Sequence, residues 1–199
     1  GEKGFLWHIN YALKDGSGHL TVATTRPETL FGDVAIAVNP KDDRFNQFIG
    51  KEVIVPLQER TIPVIGDEYV DMEFGTGCLK VTPSHDVNDY KLGEKHKLQS
   101  IDIFDDEGKV NENGKLYVGE DRFKVRKQIA KDLDNIGQLE KAENYRNKVG
   151  FSERTDAVVE PKISTQWFLS MKEVKVPALE NVMNDNIRFH PSKLKNMYR

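Results

Sequence analysis

The stretch from Phe74 to Tyr90, FGTGCLKVTPSHDVNDY, predicts a strand, a sharp turn and the start of a helix. Its residues alternate from Cys78 to Thr82, so Lys80 and Thr82 are expected on the same face of the strand. Pro83 then ends the strand, because proline cannot donate a hydrogen bond to a neighbouring strand. The sequence therefore places an ammonium group and a hydroxyl group side by side at the end of a strand.

Two carboxylates follow at the start of the predicted helix. Ser84 or Asp86 can cap this helix, and Asp86 and Asp89 are close enough in sequence to lie on one helix face. Together with Lys80 and Thr82, they suit a small ligand that carries both an ammonium and a hydroxyl group. On these residues alone, a binding site and an ordinary helix cap explain the pattern equally well.

The composition excludes several classes of protein. Hydrophobic residues make up 38% and charged residues 31% of the chain, which is typical of a globular rather than a disordered protein. A net charge of −3 argues against binding along duplex DNA, which requires a basic face. Cys78 is the sole cysteine, so no intrachain disulfide can form, and no apolar run approaches membrane-spanning length. We therefore expect a cytoplasmic protein with no membrane contact.

Short alternating segments dominate the rest of the chain. They predict a hairpin of residues 5–13 and 19–25, and further strands at 34–38, 52–56, 61–65 and 101–104. Helical signals cover residues 41–49, 87–97 and 122–135, and the texture becomes irregular beyond residue 150. This arrangement predicts a mixed, β-dominated fold with a barrel-like core and helices at its rim.

A second stretch favours the binding-site interpretation. The sequence ATTRPET at residues 23–29, followed by Gly32-Asp33 and by AIAVNP at residues 35–40, resembles the threonine-rich segment of class I aminoacyl-tRNA synthetase editing domains. Residues 74–90 resemble the second signature of the same domains, which the valyl, isoleucyl and leucyl enzymes share. The similarity runs from about residue 5 to residue 171, and the two long signatures are highly specific together.

Several segments resemble the valyl branch of this family: RPET at 26–29, DEYVD at 67–71, KVTP at 80–83, IFD at 103–105, VGFSER at 149–154 and STQWF at 164–168. The isoleucyl branch is the nearest enzymatic alternative. It usually carries a tryptophan after the proline that corresponds to Pro27, where this chain has a glutamate.

The resemblance implies a closed β-barrel core with peripheral α-helices, inserted into the catalytic body of a synthetase. Residues 1–171 would form the editing domain, and residues 172–199 would run back toward that body. The two ATP-site signatures of the body are absent from the sequence, so no cofactor is expected here, and ATP and Mg would bind elsewhere in the whole enzyme. Ser152 and Thr155 stand where some relatives carry a cysteine pair, so no metal is expected.

The implied function is ester hydrolysis on mischarged tRNA. A hydrophobic pocket only weakly rejects an isostere with an added hydroxyl, and the standard example is the valyl enzyme, which rejects threonine by roughly a hundredfold. A second site must therefore remove threonine from tRNA(Val). Its partners would be the aminoacylated 3′ end of that tRNA, the threonine moiety and the rest of the synthetase in cis. A module that binds the tRNA end without hydrolysis is the alternative from another class.

The resemblance implies catalytic roles for four residues. Asp89 would hold the α-ammonium group of the substrate, for which the alternative is a surface carboxylate on a helix. Lys80 and Asp86 would frame the substrate side-chain hydroxyl, with Thr82 on the same strand face. Their alternative is an ion pair at the rim of the pocket.

Five further residues are candidates for substrate binding. Arg26 would contact the terminal adenosine or its phosphate, with a structural ion pair as the alternative. Phe74 would stack on the adenine or pack in the core. Thr24 and Thr25 alternate in direction, so one of them is expected to face the site. For His85, a structural hydrogen-bonding role is favoured over a general-base role, because an aminoacyl ester is already reactive.

Overall fold

The predicted hairpin is present and supplies two of the three strands of an antiparallel sheet. The computed structural model describes residues 2–198, in two units, Gly1–Ile163 and Ser164–Arg199. In chain order the strands are β1 (Glu2–Ala12), β2 (His19–Thr24), β3 (Ala35–Val38), β4 (Glu52–Ile54), β5 (Thr61–Gly66), β6 (Cys78–Val81), β7 (Leu139–Asn147), β8 (Gly150–Phe151) and β9 (Val158–Val159). The helices are α1 (Val87–His96), α2 (Arg122–Asn135), α3 (Met171–Met183) and α4 (Lys195–Tyr198).

Two larger sheets build the first unit. The first has the order β2-β1-β7 and is antiparallel throughout. The second has the order β4-β5-β3-β6, in which only the pair of β3 and β5 is parallel. β8 and β9 form a separate two-stranded ribbon. The fold is therefore mixed and β-dominated, as predicted.

The two larger sheets enclose one hydrophobic core. A bridge between Leu13 and Val53 joins β4 to the end of β1, and Lys14 N–H donates to the Glu52 carbonyl at 2.9 Å. On the opposite side, β2 packs against β6, and the structure shows no strand ladder between these two strands within residues 2–198. The core thus has barrel-like walls that are joined by hydrogen bonds on one side and by side-chain packing on the other.

Helix α2 covers this core and follows its sequence signals closely. The Asp121 side chain accepts hydrogen bonds from the N–H groups of Phe123 and Lys124 at 3.0 and 3.3 Å, which caps the helix start. Val125, Ile129 and Leu133 recur at helical spacing, and all three are buried. A polar cap and an apolar stripe therefore fix both the start and the orientation of this helix.

Four local predictions require correction. Residues 41–49 form turns and a short 3-10 segment, Asn46–Phe48, instead of a helix, and residues 101–104 contribute only one bridge, between Phe104 and Val110. The irregular region beyond residue 150 contains helix α3. Strand β7 was not predicted, because its residues 141–146 are all exposed polar, alanine or tyrosine side chains without apolar alternation. Its backbone pairs with the edge of β1 through an antiparallel ladder, which needs no apolar side chains.

The turn after β2 brings the two signatures together. Pro27 begins a buried 3-10 segment, Pro27–Gly32, which leads into β3 beside β6. A Cβ atom on Gly32 would lie 3.0 Å from the Ile101 carbonyl oxygen and 3.1 Å from Thr82 Cγ2. Glycine is therefore needed for the close approach of the threonine-rich segment to Thr82, the residue that follows β6.

Substitution Leu133→Ala is expected to lower the free energy of unfolding by about 2–5 kcal/mol, because it opens a cavity under α2. Leu133 is fully buried in the core. The matched control is Lys131→Ala on the exposed side of the same helix, for which we expect a change within about 0.5 kcal/mol. Urea unfolding of both variants measures the difference, and similar values for the two would contradict the assigned orientation of α2.

Candidate active site

Eight of the nine predicted site residues line one small cavity of about 240 Å³. They are Thr24, Thr25, Arg26, Lys80, Thr82, His85, Asp86 and Asp89. Thr29, Tyr69 and Asn88 also line it, and the sequence analysis did not single them out. The end of β2, the end of β6 and the start of α1 therefore meet at one place, as the two signatures predicted.

The ninth residue, Phe74, lines a larger cavity of about 670 Å³. Both cavities share Thr24, Thr25 and Tyr69 as lining residues, so they adjoin each other. Phe74 is 74% exposed, which excludes the core-packing alternative. Tyr69 lines both cavities, and Tyr145 lines the larger one, so three aromatic residues, with Phe74, contribute to the larger cavity.

The ammonium group of Lys80 uses all its protons inside the protein. Nζ donates to Thr29 Oγ1 at 2.8 Å, to Asp33 Oδ1 at 2.9 Å and to Thr82 Oγ1 at 2.6 Å. Lys80 is 8% exposed, so this contact with Asp33 is a buried ion pair and not a rim contact. The close contact with Thr82 confirms that these two side chains share a strand face.

Asp33 is the central residue that sequence reasoning missed. Its carboxylate is fully buried and accepts hydrogen bonds from Lys80 Nζ and Thr82 Oγ1 on one oxygen, and from the Tyr11 hydroxyl at 2.5 Å on the other. Burial, and then the charge of Asp33, raise the pKa of Tyr11. The sequence signal was the Gly32-Asp33 pair in the threonine-rich segment, which was quoted for the resemblance without a site role for Asp33.

Asp89 is a buried carboxylate with no cationic partner in the described residues. Its Oδ2 accepts a hydrogen bond from the Thr82 N–H at 2.8 Å, and the residue is 7% exposed. Burial raises the pKa of Asp89 to about 7, although the nearby charge of Lys80 opposes the shift. The side chain is therefore not a surface carboxylate, and a ligand cation would stabilise its charged form.

Asp86 caps helix α1. Its Oδ1 accepts hydrogen bonds from the N–H groups of Asn88 at 2.8 Å and Asp89 at 3.1 Å. The residue is half-buried at the cavity wall. The cap and the position beside the cavity are compatible, because capping uses only one of the two carboxylate oxygens.

Arg26 lies within a cluster of buried charges. Its Nη1 donates to the His85 carbonyl at 2.9 Å, and its Nε lies 3.6 Å from Glu28 Oε1. Glu28 is fully buried and accepts two hydrogen bonds from Arg126, while Glu160 joins both arginines. The structural ion pair that was the alternative for Arg26 is therefore present. Contact between Arg26 and a ligand stays a prediction.

The contacts of His85 favour the structural interpretation. Its Nε2 accepts a hydrogen bond from the Ile103 N–H at 3.2 Å, which assigns the ring proton to Nδ1. Burial and then the charge of Arg26 lower the pKa of His85 to about 3. The ring is therefore neutral near pH 7, and its only lone pair is already used.

The two threonines differ in what they offer a ligand. Thr24 Oγ1 accepts a hydrogen bond from the Arg26 N–H at 3.1 Å, whereas the Thr25 hydroxyl makes no hydrogen bond within residues 2–198. Both residues line both cavities, and which of the two side chains contacts a ligand stays a prediction. Thr25 is the threonine whose hydroxyl remains available.

Neither a metal cluster nor a membrane span is found in the part of the chain that the structure describes. No three histidine, cysteine, aspartate or glutamate side chains come together as metal ligands there. None of the helices there has the length and apolar character needed to cross a bilayer.

Residues 41–149, more than half of the chain, match the family described as leucyl-tRNA synthetase, editing domain. The chain belongs to this family of editing domains. Relatives that match almost its whole length are valine–tRNA ligases: 59% identity for Bacteroides fragilis ATCC 25285, 58% for Porphyromonas gingivalis ATCC 33277 and 50% for Carboxydothermus hydrogenoformans. These alignments cover 98–100% of the chain, but the chain spans only 22–23% of the length of these curated relatives.

Two solved structures resemble the fold of this editing domain. A LeuRS from Agrobacterium radiobacter K84, in a ternary complex with tRNA and LeuAMS, gives a TM-score of 0.59 at 18% identity, covering 71% of this chain and 20% of that one. GlLeuRS-CP1 gives 0.52 at 14% identity, covering 73% of this chain and 100% of that one. At these identities the likeness shows the fold alone.

The editing domain is expected to keep His85 neutral across the physiological range. Because burial lowers its pKa to about 3, its ring signals should not titrate between pH 8 and pH 5. An unfolded histidine binds its proton near pH 6.5, whereas folded His85 does not. The free energy of unfolding should therefore decrease as pH falls from about 6.5 toward 3. Nitrogen-15 NMR of the imidazole rings measures this. A His85 midpoint near pH 6.5 would contradict the assignment.

Proposed function

We propose that this chain is the editing domain of a valyl-tRNA synthetase and hydrolyses the ester of threonine attached to tRNA(Val). Valine–tRNA ligases at 50–59% identity over almost the whole chain support the branch. The adjoining small and large cavities support the reaction, because an aminoacyl-adenosine end has a small polar part and a large flat part. The same proposal assigns ATP-dependent aminoacylation, with ATP and Mg, to the rest of the synthetase and not to this chain.

The observation that carries the proposal is the buried, unpaired carboxylate of Asp89. It lies in a cavity of about 240 Å³, a suitable size for one small amino acid. An α-ammonium group beside Asp89 would supply the cation that the described residues do not provide. Ligand binding would then replace the proton that burial holds on this carboxylate near pH 7.

The side-chain hydroxyl of the substrate would meet Thr82, Thr29 and Asp86. Lys80 donates its three protons to protein oxygens, so its proposed role is to orient these hydroxyls. The Thr82 hydroxyl donates to Asp33, and the Thr29 hydroxyl donates to the Arg26 carbonyl. Each of the two oxygens therefore has one lone pair left to accept a hydrogen bond from a substrate hydroxyl.

The hydrolytic step needs little from the protein beyond positioning. Water attacks the acyl carbon of the ester, and the ribose oxygen of the terminal adenosine leaves with a proton. Because the ester is already reactive, a fixed substrate and a placed water are sufficient, and the vicinal ribose hydroxyl can orient that water. Phe74 would stack on the adenine in the larger cavity, and Arg26 would reach the adenosine or its phosphate.

The same proposal includes the wider architecture. Strands β1 to β6 would form a barrel whose remaining gap, between β2 and β6, is closed by packing. Residues 1–171 would form the editing domain, and residues 172–199 would return toward the catalytic body, which acts in cis. The whole enzyme would work in the cytoplasm on the aminoacylated 3′ end of tRNA(Val).

A panel of three esters tests the reaction and the branch. We expect this chain, or the full synthetase that contains it, to deacylate threonyl-tRNA(Val) much faster than valyl-tRNA(Val). Preferential hydrolysis of valyl-tRNA(Ile) would instead support the isoleucyl type. If the full synthetase binds threonyl-tRNA(Val) but hydrolyses none of the three esters, the chain is a binding module and the proposed hydrolysis is wrong.

Substitution Asp89→Asn is expected to lower kcat/KM for threonyl-tRNA(Val) about 30-fold or more, the lower end of the cost of removing one partner of a buried charge pair. The amide can still accept the hydrogen bond from Thr82, so the fold should persist. In the wild type, kcat/KM should rise between pH 6 and pH 7 as Asp89 ionises, since its pKa is about 7. This rise should disappear in the variant.

Glu94→Gln is the matched control, because Glu94 is an exposed carboxylate on the same helix, α1. It should leave both the rate and its pH dependence unchanged. An Asp89→Asn enzyme with normal activity and the normal pH profile would rule out Asp89 as the ammonium site.

A further inference from the structure

One wall of the larger cavity is a tight turn formed by Phe74–Gly77, here called the glycine turn. The Gly77 N–H donates to the Phe74 carbonyl at 3.2 Å, and Gly75 and Gly77 have φ values of +62° and +79°. All four residues of the turn line the larger cavity, and they belong to no helix or strand. The position of the Phe74 ring therefore depends on what holds this turn in place.

Arg44 contacts the segment just before the turn. Its Nη2 donates to the Met72 carbonyl at 2.7 Å. The guanidinium is held by Asp42 in a two-point contact, from Nε to Oδ1 at 2.9 Å and from Nη2 to Oδ2 at 2.6 Å. Asp42 is 5% exposed, so the arginine is oriented by a nearly buried carboxylate.

The same guanidinium packs against the end of the turn. A Cβ atom on Gly77 would lie 2.7 Å from Arg44 Nη2 and 3.3 Å from Asp42 Oδ2. Glycine is needed here both for this close approach and for the positive φ. Arg44 therefore contacts the chain on both sides of Phe74, through Met72 before it and Gly77 after it.

We propose that Arg44, which lines neither cavity, is a positioning residue that fixes the glycine turn and so places Phe74 for the substrate. The effect on substrate rests on the proposed function, because Phe74 is assigned there to the adenine. The proposal that Arg44 holds the glycine turn does not rest on that function, since the contacts to Met72 and Gly77 exist without any ligand. Arg44 acts on binding through the turn and has no contact with the reacting ester.

Hydrogen exchange tests, without substrate, whether Arg44 holds the glycine turn in place. In Arg44→Ala, the Gly77 amide should exchange at least about tenfold faster, because the turn loses its anchor on both sides. Amides of α2 should keep their wild-type rates, which shows that the fold is intact. Unchanged exchange at Gly77 in a folded variant would overturn the proposal, whatever the chain does to tRNA.

A double-mutant cycle tests the link to Phe74. Arg44→Ala and Phe74→Ala should each raise KM for threonyl-tRNA(Val) by about fivefold to a hundredfold, the range for losing one base–aromatic stack, with little change in kcat. Combined, they should raise KM no further than Phe74→Ala alone, because both remove the same contact. Additive effects, or a loss in kcat instead of KM, would overturn the positioning role.

Two further variants serve as controls. Arg44→Lys keeps the charge but not the two-point geometry, so it should give an intermediate KM. Arg154→Ala removes an exposed arginine outside the site and should have no effect. If the wild type shows no deacylation but Arg44→Ala still loosens Gly77, the proposed function fails while the structural role of Arg44 stands.

Discussion

The buried ion pair between Lys80 and Asp33 is the interaction on which the site depends. Moving an ammonium and a carboxylate out of water costs several kcal/mol per ion, and a single contact between them does not reliably repay that cost. Here the hydroxyls of Tyr11, Thr29 and Thr82 satisfy the remaining protons and lone pairs. Tyr11 belongs to the first sheet and Lys80 to the second. The hydrogen bond from Tyr11 to Asp33 therefore links the ion pair of the site to the first sheet.

This arrangement also explains why Asp89 is unusual. Lys80 lies close enough to lower the pKa of Asp89, but its protons are directed at Thr29, Asp33 and Thr82. Burial therefore prevails and raises the pKa of Asp89 to about 7, so the carboxyl group is only partly ionised at neutral pH. A site that had paired Lys80 with Asp89 would be neutral and complete without a ligand. The network instead satisfies the lysine internally and leaves the aspartate able to receive an external cation.

Local spacing predicted one part of the site, and tertiary contacts decided the rest. Lys80, Thr82 and Asp89 lie within one short stretch, so strand and helix periodicity was sufficient to bring them together. Asp33 is 47 residues from Lys80, and Arg126 is 98 residues from Glu28, so no local pattern indicates either contact. The fold also contains parts that local sequence patterns predict and parts that depend on contacts between residues distant in sequence. The capped, amphipathic α2 was predicted with its observed bounds, whereas the polar β7 depends on pairing with β1.

Under the proposed function, the polar groups that line the small cavity would determine which mischarged amino acid is removed. A hydrophobic pocket distinguishes valine from threonine by roughly a hundredfold, because the added hydroxyl costs little. A cavity lined by hydroxyls and carboxylates would instead disfavour a side chain without a hydroxyl. A valine side chain would leave buried polar groups unpaired, at a cost of about 1–3 kcal/mol each. If a hydrophobic pocket favours valine and a polar cavity favours threonine, the selectivities of the two sites multiply. Under the proposed function, Thr29 and Thr82 would serve this purpose because Lys80 donates to both hydroxyl oxygens and so fixes the direction of their protons. The buried ion pair would then also determine which side chain the cavity accepts.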